Sequence, residues 1–322
     1  MSATKTMKAV RVHEYGGPEV LVYEDAPVPE PSAGELLVRV HAAGVNPVDW
    51  KVREGLSAKA TPRKLPLVLG WDVSGTVERR GAGATLFAVG YDVYARPDLA
   101  RDGAYAEYMV VRASEVARKP KSLDHVHAAA LPLAGLTAWQ ALFDAPAPYT
   151  SAGLQRGQSI LIHAGAGGVG SLAIQLARRR GAKVYATAST SNQSFLRELG
   201  VDVPIDYRQQ RFEDIARDLD AVLDTVGGET QTRSWSVLRR GGVLVSIVSR
   251  PSEGEAQKRG ARAAYVFVQP HARQLEELAR LVDDKVVRPI VSEVLPLAQA
   301  RKAHELIQTG HVRGKIVLRV VA

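Results

Sequence analysis

Residues 158–180 constrain the fold more than any other stretch of this chain. They run Gln-Ser-Ile-Leu-Ile-His, then Ala-Gly-Ala-Gly-Gly-Val-Gly, then a segment that closes on Arg178, Arg179 and Arg180. Ile160–Ile162 is apolar and β-branched and reads as a buried strand, while Leu172, Ile174, Leu176 and Ala177 give the following segment one apolar side. Between them Gly165, Gly167 and Gly170 fit the spacing G-x-G-x-x-G. The first glycine of that spacing takes a tight turn, the second lets a pyrophosphate approach the backbone, and the third lets helix and strand pack closely. A helix opening over Gly168 and Val169 turns its unpaired N–H groups and positive dipole end toward the phosphates. The strand, loop and helix together predict a dinucleotide site, and hence redox chemistry, midway along the chain.

With 322 residues the chain is long enough for two domains of ordinary size. No apolar run approaches the roughly 20 residues needed to span a membrane. Met1–Met7 shows no apolar leader pattern, so the reading is a cytoplasmic protein with no membrane partner. Cysteine is absent, which removes disulfides, thiolate nucleophiles and every cysteine-based zinc site. The net charge is +8, from 42 basic and 34 acidic residues, but the basic residues are scattered. The run Arg178–Arg180 falls at the end of a predicted helix, where it complements the dipole before Gly181. Nucleic acid is not an expected partner.

Residues 8–125 are rich in strand patterns punctuated by glycine and proline, with candidates at Lys8–His13, Leu21–Glu24, Glu35–Ala43, Val73–Arg79, Tyr91–Ala95 and Ala104–Val111. Only Pro47–Glu54 breaks this region with a helical pattern. From residue 126 strands and helices alternate: helix Val126–Phe143, broken near Pro132, the glycine loop, then strands at Lys183–Ala188, Val203–Ile205, Ala221–Val226, Val243–Val248 and Tyr265–Val268 with helices between. Such alternation calls for a parallel sheet covered by helices on both faces. Helix Gln274–Asp283 is expected to close that domain, and strands Ile290–Leu295 and Lys315–Val320 return to the first. The predicted architecture is α/β: residues 126–289 form a doubly wound Rossmann domain, and 1–125 with 290–322 form a mainly antiparallel β domain.

In NAD-binding versions of the loop, a carboxylate about 20 residues on receives the ribose 2′-hydroxyl. Here the second strand runs out through Ser189-Thr190-Ser191-Asn192, with no carboxylate to repel a 2′-phosphate and several hydroxyls to donate to it. The turn therefore favours NADPH, and the same hydroxyls also serve as helix caps.

These residues, with others, resemble the medium-chain dehydrogenase/reductase superfamily, in its zinc-independent quinone oxidoreductase and zeta-crystallin-like branch. The likeness covers nearly the whole chain: Met7–Val10 with Gly16–Val20, Ala42–Asp49, Leu69–Gly75, Gly103–Tyr108, Leu131–Trp139, the glycine loop, Asp224–Gly228 and Gly314–Leu318. It implies a GroES-like N-terminal domain, a Rossmann domain and NADPH held between them. Zinc-dependent relatives carry a cysteine near Asn46 and Gly-His-Glu where this chain has Gly70-Trp71-Asp72, so no metal is expected. By resemblance Thr137 lies beside the nicotinamide-side phosphate, and Gly167–Gly170 hold the pyrophosphate. Ser189 and Tyr207 flank the 2′-phosphate, with Thr190 of the hydroxyl turn beside them, Val226 lies by the adenosine, and Val248 with Val266 or Phe267 lies by the nicotinamide. Lys315, in the Gly314–Leu318 segment, is assigned to the cofactor as well. Gln193 stands where some relatives have a phosphate-binding lysine.

Without a metal, hydrogen-bond donors must stabilise developing negative charge. The best supply is Asn46-Pro-Val-Asp49-Trp-Lys51. The resemblance places Asn46 by the nicotinamide ribose or substrate, with Asp49 as its organiser. Lys51 matches the alkenal and enone reductases of the same branch, in which a lysine meets the substrate carbonyl. An ammonium there stabilises an enolate and supplies a proton. The plain alternative is a solvated lysine paired with Glu54. The expected activity is NADPH-dependent reduction of quinones or α,β-unsaturated carbonyls by a homodimer. An NADP-dependent alcohol dehydrogenase and a non-catalytic NADPH- or RNA-binding protein are the alternatives. His163 is expected to be structural and His125-x-His127 a polar surface pair, while Trp71 and Phe267 are open between core and substrate lining.

Overall fold

The computed structural model describes residues 5–56 and 63–321. Met1–Thr4, part of the leader reading above, lie outside the described residues. The first eight strands are β1 (Thr6–Val12), β2 (Leu21–Pro27), β3 (Glu35–Val45), β4 (Leu67–Val68), β5 (Val73–Arg80), β6 (Asp92–Ala95), β7 (Tyr108–Arg112) and β8 (Val116–Arg118). The next six are β9 (Ser159–Ile162), β10 (Lys183–Ala188), β11 (Val203–Asp206), β12 (Leu219–Asp224), β13 (Leu238–Ser246) and β14 (Arg262–Tyr265). The tail supplies β15 (Val291–Pro296) and β16 (Lys315–Arg319). No helix among the described residues is long and apolar enough to cross a membrane.

The chain divides into two compact units: Met1–Leu133 with Pro270–Lys285 and Pro289–Ala322, and Ala134–Gln269 with Val286–Arg288. The first unit holds a sheet in the order β15-β16-β3-β5-β6-β8, with β7 on β3, and a small sheet β2-β1-β4. Every pairing here is antiparallel except β15 with β16. β3 is its spine: Val40, Ala42, Ala43 and Val45 are buried, and Ile316, Val317 and Leu318 of β16 pair against Val45, Gly44 and Ala43. That register is how a C-terminal strand comes to complete an N-terminal domain.

The second unit is a parallel six-stranded sheet in the order β11-β10-β9-β12-β13-β14. Its strands are buried on both faces; Leu161, Val222 and Leu244, for example, pack with Phe212 and Trp235. Fully burying side chains of this kind contributes about 1.5–3 kcal/mol each. The doubly wound sheet and the mainly antiparallel β domain are the fold class read from the sequence.

Several boundaries differ from the sequence reading. Helix Ala272–Asp283 falls in the first unit rather than closing the second. Tyr94 donates to Leu275 O at 2.5 Å, and Asp283 accepts from the backbone N and hydroxyl of Ser122, both at 2.8 Å. Its amphipathic face gave the helix but not the sheet it covers. Helix His125–Ala129 likewise joins the first unit, where Val126 and Ala129 pack with Ala42 and Val317. The last parallel strand is Arg262–Tyr265, three residues earlier than Tyr265–Val268, because Arg262–Tyr265 finds the edge of β13. His125 does not pair with His127: it is half-buried, and its ring stacks on His41 at 4.2 Å and bonds Ser74 Oγ at 2.8 Å.

Candidate active site

In the second unit, the residues expected to hold the cofactor follow the carboxyl ends of the parallel strands. The glycine loop follows β9, Ser189 and Thr190 follow β10, and Tyr207 follows β11. Val226 follows β12, Val248 follows β13 and Val266 follows β14. β9 lies between β10 and β12, so the order reverses beside the glycine loop, and ligands of open α/β sheets bind at such a switch point. Tyr207, Val226 and Val248 are exposed there despite their apolar surface, whereas Val266 is buried. Thr137 is buried within helix Pro132–Leu142.

The loop backbone fits a pyrophosphate. A Cβ on Gly170 would lie 2.3 Å from Ala164 O and 2.8 Å from Gly165 Cα, so no side chain is possible where helix meets loop. A Cβ on Gly167 would meet only Ala164 O, at 3.3 Å, and would otherwise stand in the space in front of the helix. Gly168, Val169 and Gly170 open helix Gly168–Arg180, where the first N–H groups have no intrahelical acceptor. Beside it, the Ser189 hydroxyl lies 3.2 Å from Ser191 Oγ and accepts from Asn192 Nδ2 at 3.0 Å. Gln193 donates to the carbonyls of Ala188 and Ile205 at 3.0 and 3.2 Å, so it ties β10 to β11. His163 is structural: it is buried between Thr187 Oγ1 at 3.2 Å and Ser234 Oγ at 2.9 Å, and burial lowers its pKa to about 4.

In the first unit the expected catalytic residues start at the end of β3. Helix Pro47–Arg53 begins there because Pro47 pre-sets the first turn and Asp49 accepts from the Asn46 backbone N–H at 2.7 Å. Asn46 is buried and its amide is engaged within the protein. Its Nδ2 donates to Asp72 Oδ2 at 2.7 Å, and its Oδ1 accepts from the Lys315 ammonium. Lys315 also donates to Asp72 Oδ2 at 2.8 Å, and Leu133 N donates to Asp72 Oδ1 at 2.5 Å. Lys315, expected on the cofactor, is thus engaged by Asn46 and Asp72. Asn46, expected to face substrate or ribose, is held by the same carboxylate.

Asp49 Oδ2 also accepts from Tyr105 Oη at 2.9 Å, while Oδ1 has no hydrogen-bond partner among the described residues. Burial pushes the Asp49 carboxyl up to about 7, against the opposing pull of these donors. Behind Tyr105 stands His304, with Nε2 at 3.4 Å, and Arg53 Nη1 lies 3.0 Å from His304 Nδ1. Because a guanidinium only donates, Nδ1 must be the acceptor and Nε2 the N–H. Lys51 lies apart from this network. Its ammonium sits 5.7 Å from the Trp50 ring centroid, and Glu54, its expected partner, is bonded instead by Arg53 and Gln308. Trp71 is core, and Phe267 is exposed.

Sequence reasoning missed Tyr105, His304, Arg53 and Arg96 as members of this neighbourhood. Tyr105 lies in the Gly103–Tyr108 segment and Arg53 in the Pro47–Glu54 helix, both singled out for other reasons; the four converge only through tertiary packing. Asp72 had a signal, since its segment was singled out for its departure from zinc-dependent relatives.

Two family profiles match, one described as alcohol dehydrogenase GroES-like domain over residues 32–121 and one as zinc-binding dehydrogenase over 199–318. A zebrafish (Danio rerio) protein named NAD(P)H oxidoreductase RTN4IP1, mitochondrial, is 32% identical over 98% of this chain and 92% of its own length. The chloroplastic NADPH-dependent alkenal/one oxidoreductase of Arabidopsis thaliana is 36% identical over 98% and 80%. The solved structure of the quinone oxidoreductase from Coxiella burnetii is 38% identical, covers 98% of this chain and 100% of its own, and superposes with a TM-score of 0.91. The chain belongs to the medium-chain dehydrogenase/reductase superfamily, on its quinone oxidoreductase-like branch. It is an oxidoreductase of that superfamily.

One family description names zinc, and the residues of this dehydrogenase/reductase do not fit that metal. The chain has no cysteine, and among the described residues no three His, Asp or Glu side chains gather as ligands. Asp72, the carboxylate beside Asn46, already holds the Lys315 ammonium.

Proposed function

We propose that this protein is an NADPH-dependent, zinc-independent reductase of α,β-unsaturated carbonyls, with quinones as the related second class. The observation that carries the reading is the open face at Gly167, in front of a helix N-terminus, with the carboxylate-free turn Ser189–Ser191 on the neighbouring strand. The loop N–H groups of Gly168, Val169 and Gly170 bind the pyrophosphate. Ser189, Thr190 and Tyr207 receive the 2′-phosphate, and Thr137, Val226, Val248 and Val266 border the rest of the nucleotide.

When bound, NADPH supplies the hydride. Lys51 takes the role of electrophilic donor: its ammonium faces the carbonyl oxygen, stabilises the enolate and gives up a proton. Asn46 and Asp49 act as positioning residues, since their polar atoms fix the start of the helix that carries Lys51. Location in the cytoplasm and assembly as a homodimer belong to the same proposal. The test is oxidation of NADPH and of NADH against a panel of enones, enals and quinones. Turnover of enones with a strong NADPH preference is expected. NADPH binding with no turnover of any of them overturns the reading.

A further inference from the structure

The basic residues are scattered along the sequence, but the parallel sheet of the second unit collects many of them at one end. Its strands all start at that end, opposite the carboxyl ends that carry the expected cofactor residues. Arg156 precedes β9. Arg179 and Arg180 end helix Gly168–Arg180, and Lys183 opens β10 with only Gly181 and Ala182 between. Arg217 leads into β12, Arg240 lies in the irregular start of β13, and Arg262 opens β14. Backbone bonds draw these segments together: Gly157 N donates to Gly181 O at 3.0 Å, Lys183 N to Gln158 O at 2.8 Å, and Gly241 N to Gly260 O at 2.6 Å. All of these cations are exposed.

The carboxylates at this end do not neutralise them. Asp202 holds Arg178 at 2.7 Å, Asp220 holds Arg239 at 2.8 Å, Glu255 holds Lys258 at 2.9 Å, and Glu198 holds Arg288. Asp144 and Asp218 also lie there. Yet none of the cations that stand at the strand starts named above has a carboxylate partner among the described residues. Helix dipoles account for Arg179 and Arg180 in a last turn, but not for Arg156, Lys183, Arg240 or Arg262, which lie outside helices.

The rest of this face narrows the choice of polyanion. Among the described residues, the exposed large apolar side chains of this unit are Tyr207, Val226, Val248 and Phe267, all at the carboxyl ends. A protein partner needs such side chains for the apolar core of an interface, and single-stranded RNA needs them for stacking. The rings at the basic end are covered instead: Arg180 lies over Phe143 at 4.3 Å and Lys183 over Tyr185 at 5.3 Å. A duplex groove needs a projecting helix or ribbon, whereas two-residue turns such as Gly181–Ala182 and Gly260–Ala261 join helix to strand here. A layer of anionic headgroups needs only charge presented across a face. From β10 to β14 that face spans about 19 Å at the usual strand spacing.

We propose that the amino end of this sheet is a docking face for an anionic phospholipid surface. The contact is peripheral and electrostatic, so it needs no spanning helix, and it leaves the carboxyl ends of the strands free of lipid. The expectation of no membrane partner came from the lack of a spanning pattern, and charge gathered from separate strands leaves no such pattern. Nothing in this contact depends on the reductase activity.

Vesicle co-sedimentation of the full chain tests it, with phosphatidylcholine alone and with about 30% phosphatidylserine added. At about 0.05 M salt the chain is expected to bind the serine-containing vesicles and not the neutral ones. At about 0.5 M salt, where the Debye length falls to about 4 Å, binding is expected to be lost. Each cation at such a surface strengthens partitioning about fivefold, so Arg179→Gln with Arg240→Gln is expected to weaken it about 20-fold. Arg156→Gln with Arg217→Gln repeats the measurement on other strands, so misfolding of one variant leaves the other to decide. Arg211→Gln with Arg250→Gln removes the same charge beyond the carboxyl ends of β11 and β13 and is expected to bind within about threefold of wild type. Equal binding to neutral vesicles, no binding at low salt, or equal losses in amino-end and carboxyl-end variants overturns the proposal. Tighter binding of an RNA oligonucleotide than of the vesicles, lost in Arg179→Gln with Arg240→Gln, also overturns it and assigns the face to nucleic acid.

Discussion

The Lys315 ammonium lies 2.8 Å from Asp72 Oδ2, a contact between residues 243 positions apart in the chain. Both side chains are nearly or fully buried, at 6% and 0% exposure. The pair joins the last strand of the chain to the segment before β5, and both members hold Asn46. Breaking one partner of a buried pair leaves an uncompensated charge, which costs about 3–5 kcal/mol. Lys315→Met is therefore expected to lower the urea midpoint by a matching amount, and Asp72→Asn in the same chain is expected to restore part of it. Equal midpoints for wild type and Lys315→Met would show that the pair contributes nothing.

Asp49 carries a pH signature. Its folded pKa of about 7 lies above the ordinary 3.8, so the folded protein holds this proton more tightly than the unfolded chain. The stabilisation tied to that proton is full below about pH 4 and is lost as the pH rises through about 7. Asn mimics the protonated carboxyl and does not titrate. The stability advantage of wild type over Asp49→Asn is thus expected to shrink by about 1–4 kcal/mol between pH 4 and pH 8. Denaturant titrations across that range check it, and a pH-independent difference would contradict it.

Gly170→Ala places a methyl group 2.3 Å from Ala164 O, a backbone atom that cannot step aside like a side-chain tip. The loop must shift, by an amount expected to cost about 1–3 kcal/mol of stability. It should also weaken NADPH binding at least tenfold in a fluorescence titration. Unchanged affinity would separate this loop from the cofactor.

Lys51→Met removes the proposed donor while keeping the apolar stem. Loss of one such donor typically lowers kcat by about 100- to 1,000-fold. NADPH affinity is expected to stay at the wild-type value, since Lys51 and the glycine loop belong to different units. Stopped-flow hydride transfer on an enone reads the first quantity and equilibrium titration the second. Wild-type turnover would return Lys51 to the role of a solvated helix residue.

Much of the fold was legible because it rests on local periodicity. The strand, glycine loop and helix at 159–180 matched the structure closely, since each piece is specified by its own residues. The helix at Pro47–Glu54 was readable for the same reason, whereas its capping by Asn46 and Asp49 came only from the structure. Helix Ala272–Asp283 shows the limit: its amphipathic pattern marked a helix, yet Tyr94 and Ser122, about 180 and 160 residues earlier, decide which domain it covers.

The sequence by itself determined the two kinds of sheet, the glycine loop and the absence of cysteine chemistry, because periodicity, glycine spacing and composition act within a few residues of one another. Only the tertiary structure decided that Asn46 is held by Asp72 and Lys315, that Asp49 is buried with Tyr105, and that Arg96 Nε and Nη2 stay unpaired among the described residues. Those are outcomes of burial and of contacts across strands. Desolvation and hydrogen-bond partners are set by which distant residues the sheet brings together, and no local pattern encodes them.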